Sequence, residues 1–282
     1  MIKIGQYVSV FLVIKNILKK ILPVLALVLL LLPVVTSSPL DSEQKRANEI
    51  LLKQEQTKKV AEEKIYLTGK FDPAGREDFA PIPEEFNIGG HIMYLRKETL
   101  DAFLKMAETA EKDGVDLSIA SATRNFDYQK GIWNQKWSGE TLVEGNDLSK
   151  SIPDGLERFK KILEYSAAPG TSRHHWGTDI DINGAAPEYF ATEKGQKVHE
   201  WLVKNAPSFG FCQTYNLKGS ARGTGYNEEK WHWSYLPLAR IYMAEYKKLI
   251  TNEDIKGFSG DEYLAGLDII NNYVLSINPD CI

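Results

Sequence analysis

Apolar positions recur at two periods along the chain, and the period changes often. Leu100, Phe103, Leu104 and Met106 fall on one face of a helix expected over Thr99–Asp113, with Gly114 as its stop. Val115 to Ala122 alternates instead, with Leu117 and Ile119 on one side, as a half-buried strand does. Helical spacing returns over Phe126–Trp137, over Pro153–Ser166 and over Gly195–Asn205. Alternation returns over Thr178–Ile182, over Ser208–Gln213 and over Trp231–Tyr235, the last following a Gly-rich loop at Leu217–Asn227. Leu236–Leu249 and Asp261–Tyr273 read as two closing amphipathic helices. Short strands interrupted at unequal intervals by helices predict an α+β domain with a small antiparallel sheet flanked by helices, and not the regular alternation of a parallel sheet.

The start of the chain has a different character. Ile21–Val35 is an almost unbroken apolar run preceded by Lys15, Lys19 and Lys20 and followed by Thr36, Ser37 and Ser38. Residues 1–40 therefore read as a secretion signal, with an uncleaved membrane anchor as the alternative. Both place the remainder outside the cytoplasm and leave the N-terminal segment as the only membrane contact. Residues 41–65, rich in Glu, Gln and Lys, are expected to form a solvated helical stalk, and residues 66–282 the folded domain. The first 40 residues hold four lysines and no acids, so residues 41–282 carry 30 basic against 38 acidic side chains, a net charge of −8. Such a surface excludes nucleic acid as a partner. Cys212 and Cys281 are the only cysteines, and in an oxidising compartment they are expected to pair.

The chemistry is concentrated in Ser172–Asp181, SRHHWGTDID, and in the later run EEKWHWSY. A hydrolytic zinc centre needs three ligands from His, Asp, Glu or Cys, one open position and a nearby base. His174, Asp181 and His232 are the candidate ligands of one Zn2+, and Glu229 the candidate base. Seven residues of extended chain separate His174 from Asp181 by roughly 20 Å, so the chain must turn back between them, and Gly177 is the residue that permits it. Asp179 and Asp181 should then share a strand face, with Ile180 and Ile182 on the other. Asp179 is left to orient a ligand or to meet a substrate amine, and Trp231 to pack or to wall the cleft. Glu229 is expected on the loop just before the strand that carries His232.

The pattern S-x-H-x-x-G-x-x-x-D followed by E-x-W-H resembles the zinc D-alanyl-D-alanine carboxypeptidases and dipeptidases of the peptidase M15 group (VanY-like), whose superfamily includes lysostaphin-type endopeptidases and the hedgehog signalling domain. The resemblance spans most of residues 66–250. It implies His174, Asp181 and His232 as zinc ligands and Glu229 as the catalytic glutamate. It also implies that Arg124, in S-x-x-R with Gln129 five residues later, acts on the scissile carbonyl or the substrate carboxylate, and that Ser121, Gln129 and Ser172 line the substrate site. The substrate implied is a peptidoglycan stem peptide losing its C-terminal D-alanine to a monomeric enzyme of the cell envelope. An endopeptidase and a non-catalytic hedgehog-like zinc domain are the rival readings. Asp179 departs from the group, where alanine is common at that position, so it is assigned with Trp231 to the substrate side.

Overall fold

The computed structural model describes residues 39–282, with side chains from residue 43. The apolar run Ile21–Val35 lies outside the described residues, and within them no helix is long and apolar enough to cross a membrane. The chain divides into two units, Met1–Gln56 and Thr57–Ile282. The described part of the first unit is exposed helix. That helix, α1 (Pro39–Leu67), continues to Tyr66 and Leu67, which are buried within the second unit.

The second unit is mixed helix and sheet, as the changing periods imply. After α1 come β1 (Phe79–Pro81) and β2 (Tyr94–Arg96), an antiparallel pair. Helix α2 (Lys97–Lys112) buries Leu100, Phe103 and Met106 of the stripe read from sequence, with Ala107 and Ala110 added and Leu104 left half-buried, and Gly114 follows it at φ +74°. Strand β3 (Ile119–Ser121) is shorter than its alternating stretch. Asn183, at φ +57°, accepts from Ser118 N at 2.6 Å and donates to Asp116 O at 2.7 Å, so a side chain takes over where the ladder would continue.

Helix α3 (Phe126–Ser138) is capped by Asn125, whose side chain accepts from Tyr128 N, and stops at Gly139 at φ +81°. Helix α4 (Gly155–Ile162) begins later than the proline suggested, because Asp154 Oδ1 accepts from Glu157 N and fixes the cap one residue beyond Pro153. Strand β4 (Asp179–Ile182), helix α5 (Glu193–Asn205), strands β5 (Phe211–Gln213) and β6 (His232–Tyr235) and helix α6 (Leu236–Leu249) complete the regular elements of the site's surroundings.

The main sheet is antiparallel throughout, in the order β3-β4-β6-β5. One face packs Ile119, Ile180, Ile182, Phe211 and Trp233 against Phe103 and Met106 of α2 and Trp201 and Leu202 of α5. Ile180 and Ile182 are fully buried, each worth about 1.5–3 kcal/mol of apolar burial. Alternation then forces Asp179, Asp181, His232 and Ser234 onto the other face.

The closing helix expected over Asp261–Tyr273 does not form. A 3₁₀ turn at Asp261–Gly266 gives way to a π-helical turn at Ile270–Val274, with Asp268 between them at φ +44°. The buried residues there are Leu264, Ile269 and Val274, a spacing of five that an α-helix cannot keep on one face. The disulfide Cys212–Cys281 does form, with Cα atoms 5.7 Å apart. Beside it Asn278 donates from its backbone to Thr214 O (2.8 Å) and from Nδ2 to Gln213 O (3.0 Å), fastening the chain end to edge strand β5.

Candidate metal centre

Two antiparallel registers align the site. Asp181 pairs with His232 across β4–β6, and Ser121 pairs with Asp181 across β3–β4, so three polar side chains stand in one row. His174 comes from a 3₁₀ turn at Arg173–Trp176, which Gly177 ends at φ +72°. A Cβ on Gly177 would lie 2.5 Å from the Phe79 ring, so the reversal requires glycine for space as well as conformation.

His174, Asp181 and His232 each offer one donor atom within 4.8 Å of the others, and all three are buried. His174 Nδ1 donates to Ala122 O at 2.8 Å, since a carbonyl can only accept, and this leaves the Nε2 lone pair facing inward. His232 Nε2 donates to the Asp179 carboxylate at 3.1 Å, and this turns the Nδ1 lone pair inward. The two inward nitrogens are 3.2 Å apart. Asp181 Oδ1 lies 3.4 Å from one and 3.3 Å from the other, yet accepts no hydrogen bond. Three acceptors therefore converge on a point that only a cation can reconcile. Without a metal a proton serves: burial alone would lower the His232 pKa, but the Asp179 and Asp181 carboxylates outweigh it and push it up to about 9. His174 is held down, by burial and then by Arg124. Two neutral imidazoles and a carboxylate are a donor set that fits Zn2+ with a coordination position to spare.

Asp179 is fully buried and does not reach the substrate side. It accepts from His232 Nε2, from Arg173 Nε at 3.2 Å, from Thr178 Oγ1 at 2.8 Å and from Ser234 Oγ. Of the two roles open to it, the structure shows the orienting one, with the His232 ring held in the ligating tautomer. Arg173 and Asp179 form an ion pair with side chains at 1% and 0% exposure, and the guanidinium also lies over the Trp176 ring. These contacts anchor Arg173, whose Nη1 is left buried without a hydrogen-bond partner.

Glu229 is on the loop before β6, its backbone N bonded to Tyr215 O. Its Oε2 lies 3.5 Å from His232 Nδ1. Burial pushes its pKa up to about 8; the His232 charge opposes this and the Asp181 charge adds to it. Arg124 Nη1 donates to Ser121 Oγ at 3.0 Å and lies 3.6 Å from Asp181 Oδ2. His175 donates from Nδ1 to Arg124 O (2.6 Å) and accepts Gly170 N at Nε2 (3.0 Å), so it locks the backbone that carries Arg124. Burial holds its pKa down at about 3.

A small cleft opens over this row. Arg124, Ser172, His174, Glu229 and His232 line it, as the sequence led one to expect, together with Arg173, Tyr165, Ala167, Tyr215 and Tyr226. Three expected substrate residues stand behind its wall. Gln129 donates to Ala167 O at 2.7 Å, Ser121 holds Arg124, and Trp231 packs in the core between Phe190 and Tyr165. Ser234 and the tyrosines were not foreseen. Ser234 is findable as the residue two past His232 on the same strand face, whereas the tyrosines carry no signal of that kind.

The sequence profile of the VanY family, described as D-alanyl-D-alanine carboxypeptidase, matches residues 92–238, just over half of the chain. This chain belongs to that family. Among curated relatives, the D-alanyl-D-alanine carboxypeptidase of Enterococcus faecalis is 30% identical over 180 residues, covering 61% of each chain. The Bacillus subtilis protein YodJ, assigned by name to the carboxypeptidases, is 29% identical over 174 residues, covering 60% of this chain and 56% of its own. The chain thus spans well under two thirds of the length of these relatives. Among solved structures, the LD-carboxypeptidase LdcB matches at 24% identity and a TM-score of 0.44, covering 70% of this chain and 80% of its own. The vancomycin-resistance D,D-pentapeptidase VanY, solved with Zn(II), matches at 22% identity and a TM-score of 0.40, covering 65% and 93%.

Proposed function

We propose that this protein is a zinc-dependent carboxypeptidase that removes a C-terminal D-alanine from peptidoglycan stem peptides outside the cytoplasm. The observation that carries the metal is the convergence of two imidazole lone pairs and the unpartnered Asp181 Oδ1 on one buried point. Family membership supports the reaction class. His174, Asp181 and His232 would hold Zn2+, which supplies a Lewis acid and lowers the pKa of water toward 7.

The remaining work falls to the chain's own groups. Glu229 takes the proton of the attacking water at Oε2, the oxygen beside His232, and returns it to the leaving amine. Its burial matters here, because a carboxylate withdrawn from water holds a proton more strongly than an exposed one. Arg124 sits at the cleft, and its guanidinium offsets negative charge growing on the scissile carbonyl. Asp179 keeps His232 in the tautomer that presents Nδ1. The retained base beside the ligand row favours an enzyme over a binding-only zinc domain.

The test uses peptides ending in D-Ala-D-Ala, in a single D-Ala, or in an amide, with and without a chelator. Zinc-dependent release of D-alanine from free C-termini alone is the expected result. Cleavage of the amidated peptide would assign an endopeptidase, and no metal-dependent cleavage of any of them would refute the proposal.

A further inference from the structure

Arg173 lines the cleft between Ser172 and His174, and its guanidinium is held along one edge only. Nε donates to Asp179 Oδ1 at 3.2 Å, and Nη2 donates to Ser234 Oγ at 3.0 Å. Cζ lies 4.7 Å from the centre of the Trp176 ring, so the plane of the group is fixed as well as its edge. The side chain cannot swing to find another acceptor. Its remaining nitrogen, Nη1, is buried and has no hydrogen-bond partner among the described residues.

Two N–H groups of a permanent cation are thus left without acceptors in a residue of the cleft wall. A buried donor in that state costs about 1–3 kcal/mol, and more when it is charged. Asp179 cannot relieve it, because that carboxylate also accepts from His232, Thr178 and Ser234. Arg124 is engaged elsewhere, with Ser121 and beside Asp181.

Position narrows what the missing acceptor is. Asp179 pairs with Ser234 two residues along the same sheet face from the pairing of Asp181 with His232, a distance of roughly 7 Å. One residue of extended chain spans roughly 3.5 Å, and a hydrogen bond adds about 3 Å. A guanidinium anchored on the Asp179–Ser234 rung therefore stands where a single residue beyond a scissile bond at the ligand row would end.

We propose that Arg173 is a specificity-determining residue whose Nη1 receives the free C-terminal carboxylate of the substrate, an inference that rests on the carboxypeptidase reading. The carboxylate supplies the acceptor and the negative charge that the fold leaves out. An amidated end carries no charge to meet the guanidinium, and a longer chain would run into the buried wall. Asp179 Oδ1 then serves two sides at once, aiming His232 at the metal position and Arg173 at the chain end.

The experiment separates binding from turnover. Zinc-loaded Glu229→Gln protein, which holds substrate without cleaving it, is titrated calorimetrically with a tripeptide ending in D-Ala-D-Ala as the free acid and as its C-terminal amide. The titrations are repeated with Arg173→Lys added, which keeps a positive charge beside Asp179 and removes Nη1. The expected result is a loss of roughly 10- to 100-fold in affinity for the free acid and a change of less than about threefold for the amide. Equal losses on both ligands, or no loss on either, would overturn the proposal, as would a parent that binds neither. A crystal structure of the Glu229→Gln protein with the free acid keeps Arg173 intact and so does not depend on how the lysine variant folds. A carboxylate oxygen within about 3.2 Å of Nη1 is expected there, and a water on Nη1 with the carboxylate held elsewhere would overturn the assignment. Turnover by the otherwise unaltered protein is scored separately. If it cleaves neither peptide while the Arg173-dependent preference for the free acid persists, the carboxypeptidase reading fails and the carboxylate site stands.

Discussion

Asp181 and His232 stand directly opposite one another across the β4–β6 pair, so two of the three candidate ligands are joined by a backbone ladder and not by a loop. Register errors are costly where one sheet face is buried, because a slip of one residue would turn Ile180 and Trp233 outward. The hydrophobic face thereby holds the polar face in alignment, before any metal is bound.

Replacing Glu229 by Gln keeps the size of the side chain and removes the base. Zinc content by atomic absorption should remain near one per chain, while turnover falls by about 10²- to 10⁴-fold. Undiminished turnover would rule out Glu229 as the base.

Asp179→Asn should be felt twice. The His232 ring loses the charged partner that fixes its tautomer, so zinc affinity measured against a competing chelator should fall about 10- to 100-fold. Arg173 becomes a buried charge without a counter-ion, which costs about 3–5 kcal/mol and should lower the melting temperature of the metal-free protein as well. A variant that weakens zinc binding with no loss of stability would contradict the Arg173 half of this account.

The metal-free protein should lose stability as pH rises above about 7. His232 has a folded-state pKa raised to about 9, so its contribution is full below its ordinary value near 6.5 and is lost as pH passes through 9. Glu229, raised to about 8, acts in the same direction from its ordinary range near 4.5 upward, because the folded state holds the proton more tightly. Thermal melts between pH 7 and 9 in chelator should show a falling melting temperature, because the opposing gain from the depressed His174 and His175 is complete once pH has passed their ordinary value near 6.5. The increment produced by zinc should grow over the same range, since the ligands must be free of protons to bind it. A zinc increment that shrinks with pH would contradict the assigned ligands.

Gly69 sits at φ +74°, and a Cβ there would lie 2.4 Å from Nδ1 of His175. Gly69→Ala should therefore cost about 1–3 kcal/mol in backbone strain, read from denaturant melts. It should also reduce kcat, although residue 69 does not line the cleft, because the displaced ring is the one that holds the Arg124 carbonyl. Unchanged kcat in a destabilised variant would show that His175 does not position Arg124.

Cys281→Ser should release the chain end from β5. In the chain-entropy picture a loop of this length is worth up to about 4 kcal/mol, so the melting temperature should drop by several degrees or more. Non-reducing peptide mass spectrometry of the parent protein should recover the Cys212–Cys281 pair.

The ligand row was legible because its determinants are local. The glycine between His174 and Asp181 and the alternation after it dictate which side chains share a face, and three strands then need only an antiparallel register. Asp179 was harder, because its role depends on which atom of His232 it meets, and that is set by the pairing of Asp179 with Ser234 on the neighbouring strand. Between Asp261 and Tyr273 the helical pattern misled, since tertiary burial at a spacing of five overrode it.

Tyr66 donates to the Trp176 carbonyl at 2.6 Å, and Trp176 donates through Nε1 to the Leu67 carbonyl at 3.1 Å. The last turn of α1 and the turn that carries His174 are therefore clasped by two reciprocal bonds. Within the second unit, Tyr66 and Leu67 thus brace the ligand turn from behind, so a substitution at Tyr66 would loosen the seat of His174 without touching the cleft.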